Sequence, residues 1–360
     1  MKNNKVVLFL TGGFGDNLLA VPLAYELNNK TALTIVTLNN AEALFLAKLF
    51  PNSRVIAAGS FAALAEVWFK GLFAKYWVYS VASCTRRFRL LNLLAPFTES
   101  IGFTSLNPEK SWQAEIGLKY CLTPDLGKRA WKNNLRLVDL IFPGALSRSN
   151  DSAKWDFYGR KVMINIQPDE EMARKYAPGI VIHPGSNKYA GGLEKYKRWP
   201  LANFFAMAEK LKEADKSSVI YWILGPGEEN LLPEISAFAA SSPSSKIIIS
   251  SKEFANSIID LAKFLKNMRF FIGNDTGIAH LAALAGIPMV SVNSGISQVS
   301  YTAQDGVRTK IIWEDADCRG CTVGFSAELA NNFKCGNNWI CMSKITPEQV
   351  LNAVKQEMKR

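Results

Sequence analysis

The chain has 360 residues, more than one hydrophobic core usually serves, so two domains of ordinary size are expected. Hydrophobic residues make up 48% of the sequence and charged residues 20%, a balance that excludes an intrinsically disordered chain. The formal net charge of +11 indicates an attraction to anions, whether nucleic acid, phosphorylated substrates or an acidic membrane face.

The first part of the chain alternates between apolar runs and helical patterns. A buried strand is predicted over 6–10, then a glycine loop, then one helix over 16–27 with an apolar stripe. Further strands are predicted at 32–38, 54–58 and 76–82, and helices at 41–50 and 60–74. This alternation predicts a parallel sheet wrapped by helices.

The polar stretch over 145–160 interrupts the pattern and suits a domain boundary. The alternation then restarts with predicted strands at 180–182, 219–224, 247–249, 270–272 and 288–292, and predicted helices at 201–214, 256–267 and 276–285. The sequence therefore predicts an α/β fold with two halves that face each other, in which ligands bind beyond the carboxyl ends of the strands. We expect an N-terminal domain over 1–158, a C-terminal domain over 159–345 and a C-terminal helix over 346–360.

The apolar run over 6–10 is too short for a signal-peptide core, and no stretch approaches the roughly 18 apolar residues of a membrane span. A cytoplasmic location is therefore predicted. In that compartment thiols stay reduced, and a cluster of cysteines indicates a metal site more often than disulfides.

The first motif that could carry chemistry is the glycine turn over 12–17, between the first strand and the first helix. No Gly-Lys-Ser/Thr follows, as a P-loop would need, and Leu18 occupies the place of the third glycine of a dinucleotide fingerprint. What remains is Asp16, a carboxylate predicted at the mouth of a cleft. Asp16 as a simple helix cap is an equally weighted alternative.

The second motif runs from Ile272 to Leu281, from a strand end into a helix. Thr276 and Gly277 place backbone amides at the positive end of that helix, which suits a phosphate. His280 lies one turn later and can face the same ligand. A helix cap at Asp275 with a buried structural histidine is the alternative. The chain has two histidines, and the other, His183, also follows a predicted strand, which favours function.

The third motif is the basic cluster over 195–200, Lys-Tyr-Lys-Arg-Trp-Pro. Such a cluster is usually a solvated face. Beside a predicted phosphate site it suits a diphosphate clamp, because charge-assisted hydrogen bonds are stronger than neutral ones.

In these three places the chain resembles glycosyltransferase family 9. The matching elements are Gly15-Asp16 with Pro22 downstream, the His-Pro-Gly-Ser loop over 183–186 followed by the 197–200 segment, and 274–277 with His280-Leu281. The resemblance implies a GT-B fold, with two Rossmann-like domains facing a central cleft. It also implies that the N-terminal half takes the acceptor and the C-terminal half the nucleotide sugar, typically ADP-heptose.

The resemblance further implies a role for individual residues. Asp16 resembles the catalytic base, with Gly13 and Gly15 in the acceptor-side loop, and Lys197 resembles the phosphate-binding lysine. The other expected donor contacts are Ser186, Glu228 or Glu229 at the ribose, and the segment residues Asp275, Thr276, Gly277 and His280. The loop over 293–297, Asn-Ser-Gly-Ile-Ser, departs from the family's Gly-Pro-Thr-like sequence, so the sugar is left open.

Four of the six cysteines fall between positions 318 and 341. Cys318 and Cys321 have the spacing that places two thiolates on one ion, and Cys335 and Cys341 complete a four-sulfur set suited to structural zinc or iron. Reduced thiols in a folded loop are the alternative. Related cysteine-rich tails in the family include an iron-binding finger in transferases that modify autotransporter adhesins.

The predicted function is inverting transfer of a heptose or related sugar from a nucleotide sugar to a lipopolysaccharide core or other glycan, without a catalytic metal. Predicted partners are the donor, a glycolipid or protein acceptor and the inner membrane at its cytoplasmic face, with no nucleic acid. Three alternatives remain open at this point: a protein acceptor, a sugar-nucleotide epimerase of the same fold, and a basic nucleic-acid-binding protein, whose affinity would fall steeply with salt.

Overall fold

The computed structural model describes residues 4–83, 86–95, 97–105, 115–146, 155–186, 193–242, 244–296, 308–322 and 331–360. The chain folds into two compact units, Met1–Asn165 and Ile166–Arg360. The division lies after residue 165, whereas the sequence predicted a boundary after residue 158.

The described part of the first unit contains a parallel six-stranded sheet in the order β3-β2-β1-β4-β5-β6. Its strands are β1 Lys5–Leu10, β2 Ala32–Thr37, β3 Arg54–Ala57, β4 Tyr76–Tyr79, β5 Glu99–Phe103 and β6 Tyr120–Leu122. Its helices are α1 Phe14–Leu18, α2 Val21–Lys30, α3 Asn40–Leu49, α4 Phe61–Gly71, α5 Arg86–Leu91, α6 Ala130–Ile141 and α7 Trp155–Val162.

The described part of the second unit contains another parallel six-stranded sheet, in the order β12-β11-β10-β7-β8-β9. Its strands are β7 Ile180–His183, β8 Ile220–Leu224, β9 Ser245–Ile249, β10 Phe270–Asn274, β11 Met289–Val292 and β12 Thr309–Ile312. Its helices are α8 Glu170–Lys175, α9 Glu194–Lys197, α10 Leu201–Ala214, α11 Leu232–Ala240, α12 Ser250–Glu253, α13 Ile258–Lys266, α14 Gly277–Ala285, α15 Ile340–Ser343 and α16 Pro347–Lys359.

Central strands are apolar on both faces because helices cover both sides of each sheet. In β8, Ile220 and Trp222 belong to a core that includes α10 and α16. Tyr221, between them, points to the other face, where its ring lies 5.5 Å from that of Phe264 on α13. All five residues of β8 are therefore buried, which explains why this strand was readable as one apolar run.

The predicted single helix over 16–27 is wrong, because the chain forms two helices there, α1 and α2. Pro22 lies in the first turn of α2, where its missing N–H costs nothing, but it cannot continue a helix from α1. The Leu19 carbonyl at this break accepts a hydrogen bond from Asn134 Nδ2 at 3.1 Å. The break is therefore a fixed corner.

In each sheet the first strands are added toward one edge and the later strands toward the other edge. The strand order therefore reverses between β1 and β4 in the first sheet and between β7 and β10 in the second. In doubly wound sheets the loops that leave two such strands diverge, and the crevice between them is the usual ligand site. Among the described residues no helix is long and apolar enough to cross a membrane.

Candidate functional site

In the second unit the crevice lies beyond the ends of β7 and β10, which pair side by side with His183 opposite Gly273. The structure therefore brings the His-Pro-Gly-Ser loop next to the segment over 274–280, as expected from their positions at strand ends.

The buried Asn274 side chain fastens these segments to the basic cluster. Its Oδ1 accepts a hydrogen bond from Trp199 N at 3.0 Å, and its Nδ2 donates to Pro184 O at 2.8 Å and to Gly185 O at 3.1 Å. The Asn274 amide thus connects the His-Pro-Gly-Ser loop, the basic cluster and the segment over 274–280. Asn274 lay inside a sequence motif, but the sequence did not reveal this connecting role.

Thr276 is the N-cap residue of α14, and its Oγ1 accepts a hydrogen bond from Ala279 N at 3.3 Å. Asp275 is therefore not the cap of this helix. The nine residues of α14 place the positive end of the helix dipole at the edge of the crevice.

The Glu228 carboxylate is connected to Thr276 through His183. His183 Nε2 lies 3.0 Å from Glu228 Oε2, and His183 Nδ1 lies 3.1 Å from Thr276 Oγ1. Gly225 N donates to the same Glu228 oxygen at 2.6 Å. Burial raises the pKa of Glu228, but the charge and hydrogen bond of His183, the Gly225 amide and the charge of Arg198 outweigh it and hold this pKa below its ordinary value. Glu228 is therefore an ionised carboxylate held inside the protein.

The two glutamates predicted at the ribose differ in environment. Glu228 is 1% exposed and engaged with His183 and Gly225, whereas Glu229 is exposed at the start of a 3₁₀ turn, Glu229–Leu231. A Cβ atom at Gly185 would overlap Glu228 Oε2, so this glycine leaves the space that the carboxylate fills.

Lys197, Asp275 and His280 form a second group of charges. Lys197 Nζ lies 3.5 Å from Asp275 Oδ2, and His280 Nε2 lies 3.5 Å from Asp275 Oδ1. Burial lowers the pKa of His280 to about 4, against the pull of the Asp275 carboxylate and with a contribution from the Lys197 charge. His280 is therefore neutral at physiological pH. Ser186 is buried, and its carbonyl accepts a hydrogen bond from Arg198 Nη2 at 2.8 Å.

In the first unit Asp16 is exposed in the first turn of α1, beyond the end of β1. Gly13 is the N-cap residue of this helix, so Asp16 is not its cap, and Gly15 is the second helical residue. A Cβ atom at Gly13 would lie 3.2 Å from Asp16 Oδ2. The glycine thus keeps the space around the carboxylate open.

The loop that carries Asp16 is held by residues that sequence reasoning missed. Asn17 Nδ2 donates to Glu42 Oε2 at 2.6 Å, and Asn17 Oδ1 accepts from Gly12 N at 3.2 Å. The buried Glu42 also accepts from Thr37 Oγ1 at 2.9 Å and Asn39 Nδ2 at 2.8 Å. The polar residue Asn17, next to Asp16 in the glycine turn, was the signal available in the sequence, whereas its burial is visible in the structure alone.

The four cysteines between positions 318 and 341 are free thiols. Burial raises the pKa of Cys321 to about 11, and the charges of Cys318, Cys341 and Cys335 add to the shift. Burial also raises the pKa of Cys341. Over the described ranges, no group of three or more His, Cys, Asp or Glu side chains is arranged as a metal site.

The cysteine segment packs on the loops of the crevice. Gly320 N donates to Gly295 O at 2.6 Å, and Trp339 Nε1 donates to Tyr196 O at 3.0 Å, next to Lys197. Trp339 N donates in turn to Cys335 Sγ at 3.3 Å. The segment therefore supports the helix that carries Lys197.

Comparison with known proteins adds a family and a fold. The model of glycosyltransferase family 9 (heptosyltransferase) matches residues 152–328. The solved ADP-heptose lps heptosyltransferase II of E. coli is 13% identical with a TM-score of 0.68, over 99% of this chain and 98% of that chain. A family 9 glycosyl transferase from Veillonella parvula is 14% identical with a TM-score of 0.70, over 100% of this chain and 98% of that chain.

A third solved structure, the iron-containing dodecameric glycosyltransferase TibC from enterotoxigenic E. coli, is 13% identical with a TM-score of 0.51, over 99% of this chain and 76% of that chain. A search of curated proteins found no matching sequence. The structural matches confirm the predicted α/β fold of GT-B type.

Proposed function

We propose, from the match of residues 152–328 to the family 9 model and the fold shared with a heptosyltransferase, that this glycosyltransferase transfers a heptose or related sugar from ADP-heptose to a glycan of the lipopolysaccharide core. The family 9 match favours transfer over the epimerase and nucleic-acid-binding alternatives. The cytoplasmic location stays a prediction from the sequence.

The observation that carries the proposal is the crevice beyond β7 and β10. There the N-terminus of α14, Lys197 and the Ser186 loop meet around the Asn274 side chain. A helix N-terminus with a nearby ammonium group suits a diphosphate, because both offer positive charge and N–H donors to its oxygens. Of the two glutamates, the exposed Glu229 suits the ribose, since the oxygens of Glu228 are engaged inside the protein.

In the proposed reaction Asp16 removes the proton from an acceptor hydroxyl, whose oxygen attacks the anomeric carbon as the bond to the nucleoside diphosphate breaks. The configuration inverts, and the departing diphosphate gains negative charge. Lys197, Ser186 and the amides at Thr276 and Gly277 bind that charge more strongly in the transition state than in the ground state.

A protein acceptor is the second candidate. The cysteine segment favours it, because its sequence resembles the cysteine-rich tails of family members that modify protein adhesins, and TibC, which has a similar fold, is iron-containing. We propose that Cys318, Cys321, Cys335 and Cys341 hold one structural zinc or iron ion, which would fasten the segment to the loops of the crevice.

Replacing Asp16 by Asn is expected to lower turnover by about 10² to 10⁴, the usual contribution of a general base, and to leave the affinity for ADP nearly unchanged. Initial rates with ADP-heptose and a truncated lipopolysaccharide acceptor measure turnover, and calorimetry measures the affinity for ADP. Asp139→Asn, an exposed aspartate of α6, serves as the charge-matched control. Turnover within a few-fold of the parent would remove Asp16 from the mechanism.

Lys197→Ala is expected to weaken ADP binding by about 1.5 to 3 kcal/mol, the range of hydrogen bonds to charged groups. Lys195→Ala is the matched control, because Lys195 lies on the same short helix but is exposed, over the Tyr196 ring. Titration of ADP against both variants decides the matter: equal affinities would make Lys197 a structural partner of Asp275 alone.

Protein purified without added metal is expected to contain about one equivalent of zinc or iron, and the Cys318→Ser, Cys321→Ser double variant is expected to lose it together with thermal stability. Elemental analysis and thermal unfolding measure the two effects. Cys121→Ser, outside the cluster, is the control. Negligible metal in the parent and equal melting of parent and double variant would leave reduced thiols as the description of this segment.

A further inference from the structure

Two consecutive residues at the end of β11 hold buried polar atoms that have no partner. Asn293 and Ser294 follow Val292, the last residue of the strand, and their exposed fractions are 1% and 3%. Within the described ranges neither Asn293 Nδ2 nor Ser294 Oγ has a hydrogen-bond partner. Water does not reach these atoms either, so the folded chain leaves two neighbouring hydrogen-bonding groups unsatisfied, which costs free energy.

The amide of Asn293 is unsatisfied in either orientation. Ser291 Oγ donates to Asn293 Oδ1 at 2.6 Å, which leaves Nδ2 without a partner. With the amide turned over, Nδ2 would contact Ser291 and Oδ1 would be the atom without a partner. One end of this amide therefore stays available for a ligand, as does the hydroxyl of Ser294.

The backbone around these two side chains is held on both sides. Asn293 N donates to Ile312 O of β12 at 2.8 Å, and Gly320 N donates to Gly295 O at 2.6 Å. Thr322 Oγ1 donates to the carbonyl of the next residue, Ile296, at 2.6 Å. Because these bonds fix the loop, the two side chains cannot reach distant partners by a displacement of the backbone.

The side chain of Asn293 points to the face of the sheet on which α14 lies. Val292 belongs to the core on the side of α10 and α16, so the next residue of the chain, Asn293, points to the opposite face. That face carries α13, whose Phe264 ring contacts Tyr221, and α14 packs against α13.

The register of the strands places the two residues next to the start of α14. Val292 lies opposite Asn274 of β10, so Asn293 follows at the level of Asp275, the residue before the N-cap of the helix. The unsatisfied groups therefore stand at the same edge of the sheet as the proposed diphosphate contacts, one strand further along.

The order of the strands indicates which part of a donor would lie there. Neighbouring strands in this part of the sheet run β11-β10-β7-β8, about 4.8 Å apart. The proposed ribose contact, Glu229, follows β8, and the proposed diphosphate contacts, Ser186 and the N-terminus of α14, follow β7 and β10. In a nucleotide sugar the transferred sugar comes next after the diphosphate. It would therefore lie over the end of β11.

We infer that Asn293 and Ser294 bind hydroxyl groups of the transferred sugar, an inference that rests on the proposed donor site. A sugar hydroxyl both donates and accepts hydrogen bonds, so it satisfies a hydroxyl or either end of an amide. The sugar moves the groups that cover these two side chains, but it breaks no hydrogen bond of the two unsatisfied atoms in exchange. A sugar without the matching hydroxyl leaves them unpaired and binds more weakly.

Calorimetry with ADP-heptose and with ADP tests this inference, because ADP lacks the transferred sugar. Ser294→Ala is expected to weaken the binding of ADP-heptose by about tenfold, the upper range for one neutral hydrogen bond, and to leave the affinity for ADP unchanged. Asn293→Ala is made in a Ser291→Ala background, so that the Ser291 hydroxyl does not lose its partner. Compared with Ser291→Ala alone, it is expected to show the same selective loss.

Thermal unfolding without ligand separates sugar binding from a structural role. Ser294→Ala is expected to melt at the same temperature as the parent or higher, because it removes a buried hydroxyl that has no partner. Ser245→Ala is the matched control. Its Oγ also lacks a partner, but Ser245 is the first residue of β9, at the opposite edge of the sheet, so both affinities should stay unchanged.

Unchanged affinity for ADP-heptose in either variant would overturn the inference while the proposed function stands. Equal weakening of ADP and ADP-heptose, together with a lower melting temperature, would also overturn it, because the two residues would then only support the loop. Failure of ADP-heptose to bind to the parent would overturn the proposed function, and this inference with it.

Discussion

The second unit depends on the side-chain amide of Asn274. It stands at the end of β10, fully buried, and exchanges hydrogen bonds with backbone groups of the loop after β7 and of the segment before α10. Without it, the Trp199 N–H and two carbonyls would be buried without these partners, and each such loss costs about 1 to 3 kcal/mol. The amide therefore fixes the loop after β7 and the segment before α10 to the end of β10, and Lys197 and Ser186 lie in these two segments.

A second constraint is electrostatic. The proposed diphosphate site would gain nothing from buried carboxylates, yet Glu228 and Asp275 lie among its residues, 1% and 4% exposed. Each is compensated, Glu228 by His183 and Arg198, and Asp275 by Lys197. Asp275 pairs with Lys197, and Glu228 is linked to the Thr276 hydroxyl through His183. The neutral His280 adds no charge to this balance.

In the first unit the exposed carboxylate of Asp16 lies on α1, a helix of only five residues. Such a short helix has little stability of its own. The Asn17 side chain is hydrogen-bonded to the Gly12 backbone and to the Glu42 carboxylate. Glu42 in turn accepts hydrogen bonds from Thr37 and Asn39. The polar network beneath the loop keeps Asp16 in place, while the glycines around it leave room for a ligand.

The sequence by itself determined the strands that are buried on both faces, such as β1 and β8. A continuous apolar run of this length is typical of a central strand of a parallel sheet, because helices cover both of its faces. It also located the glycine turn after β1, the His-Pro-Gly-Ser loop after β7 and the segment at the end of β10, since each lies where such a strand ends. It missed β5, Glu-Ser-Ile-Gly-Phe, because the strand has no apolar run and its serine is buried through a hydrogen bond to Gly117 O.

Only the tertiary structure decided which partner each polar side chain has. Thr276 rather than Asp275 caps α14, and Glu228 rather than Glu229 turns inward. Asn274 joins segments that lie 75 to 90 residues apart in the chain. Local patterns cannot determine such contacts, because hydrogen bonds between distant loops depend on the pairing of β7 with β10, which a periodicity within each strand does not encode.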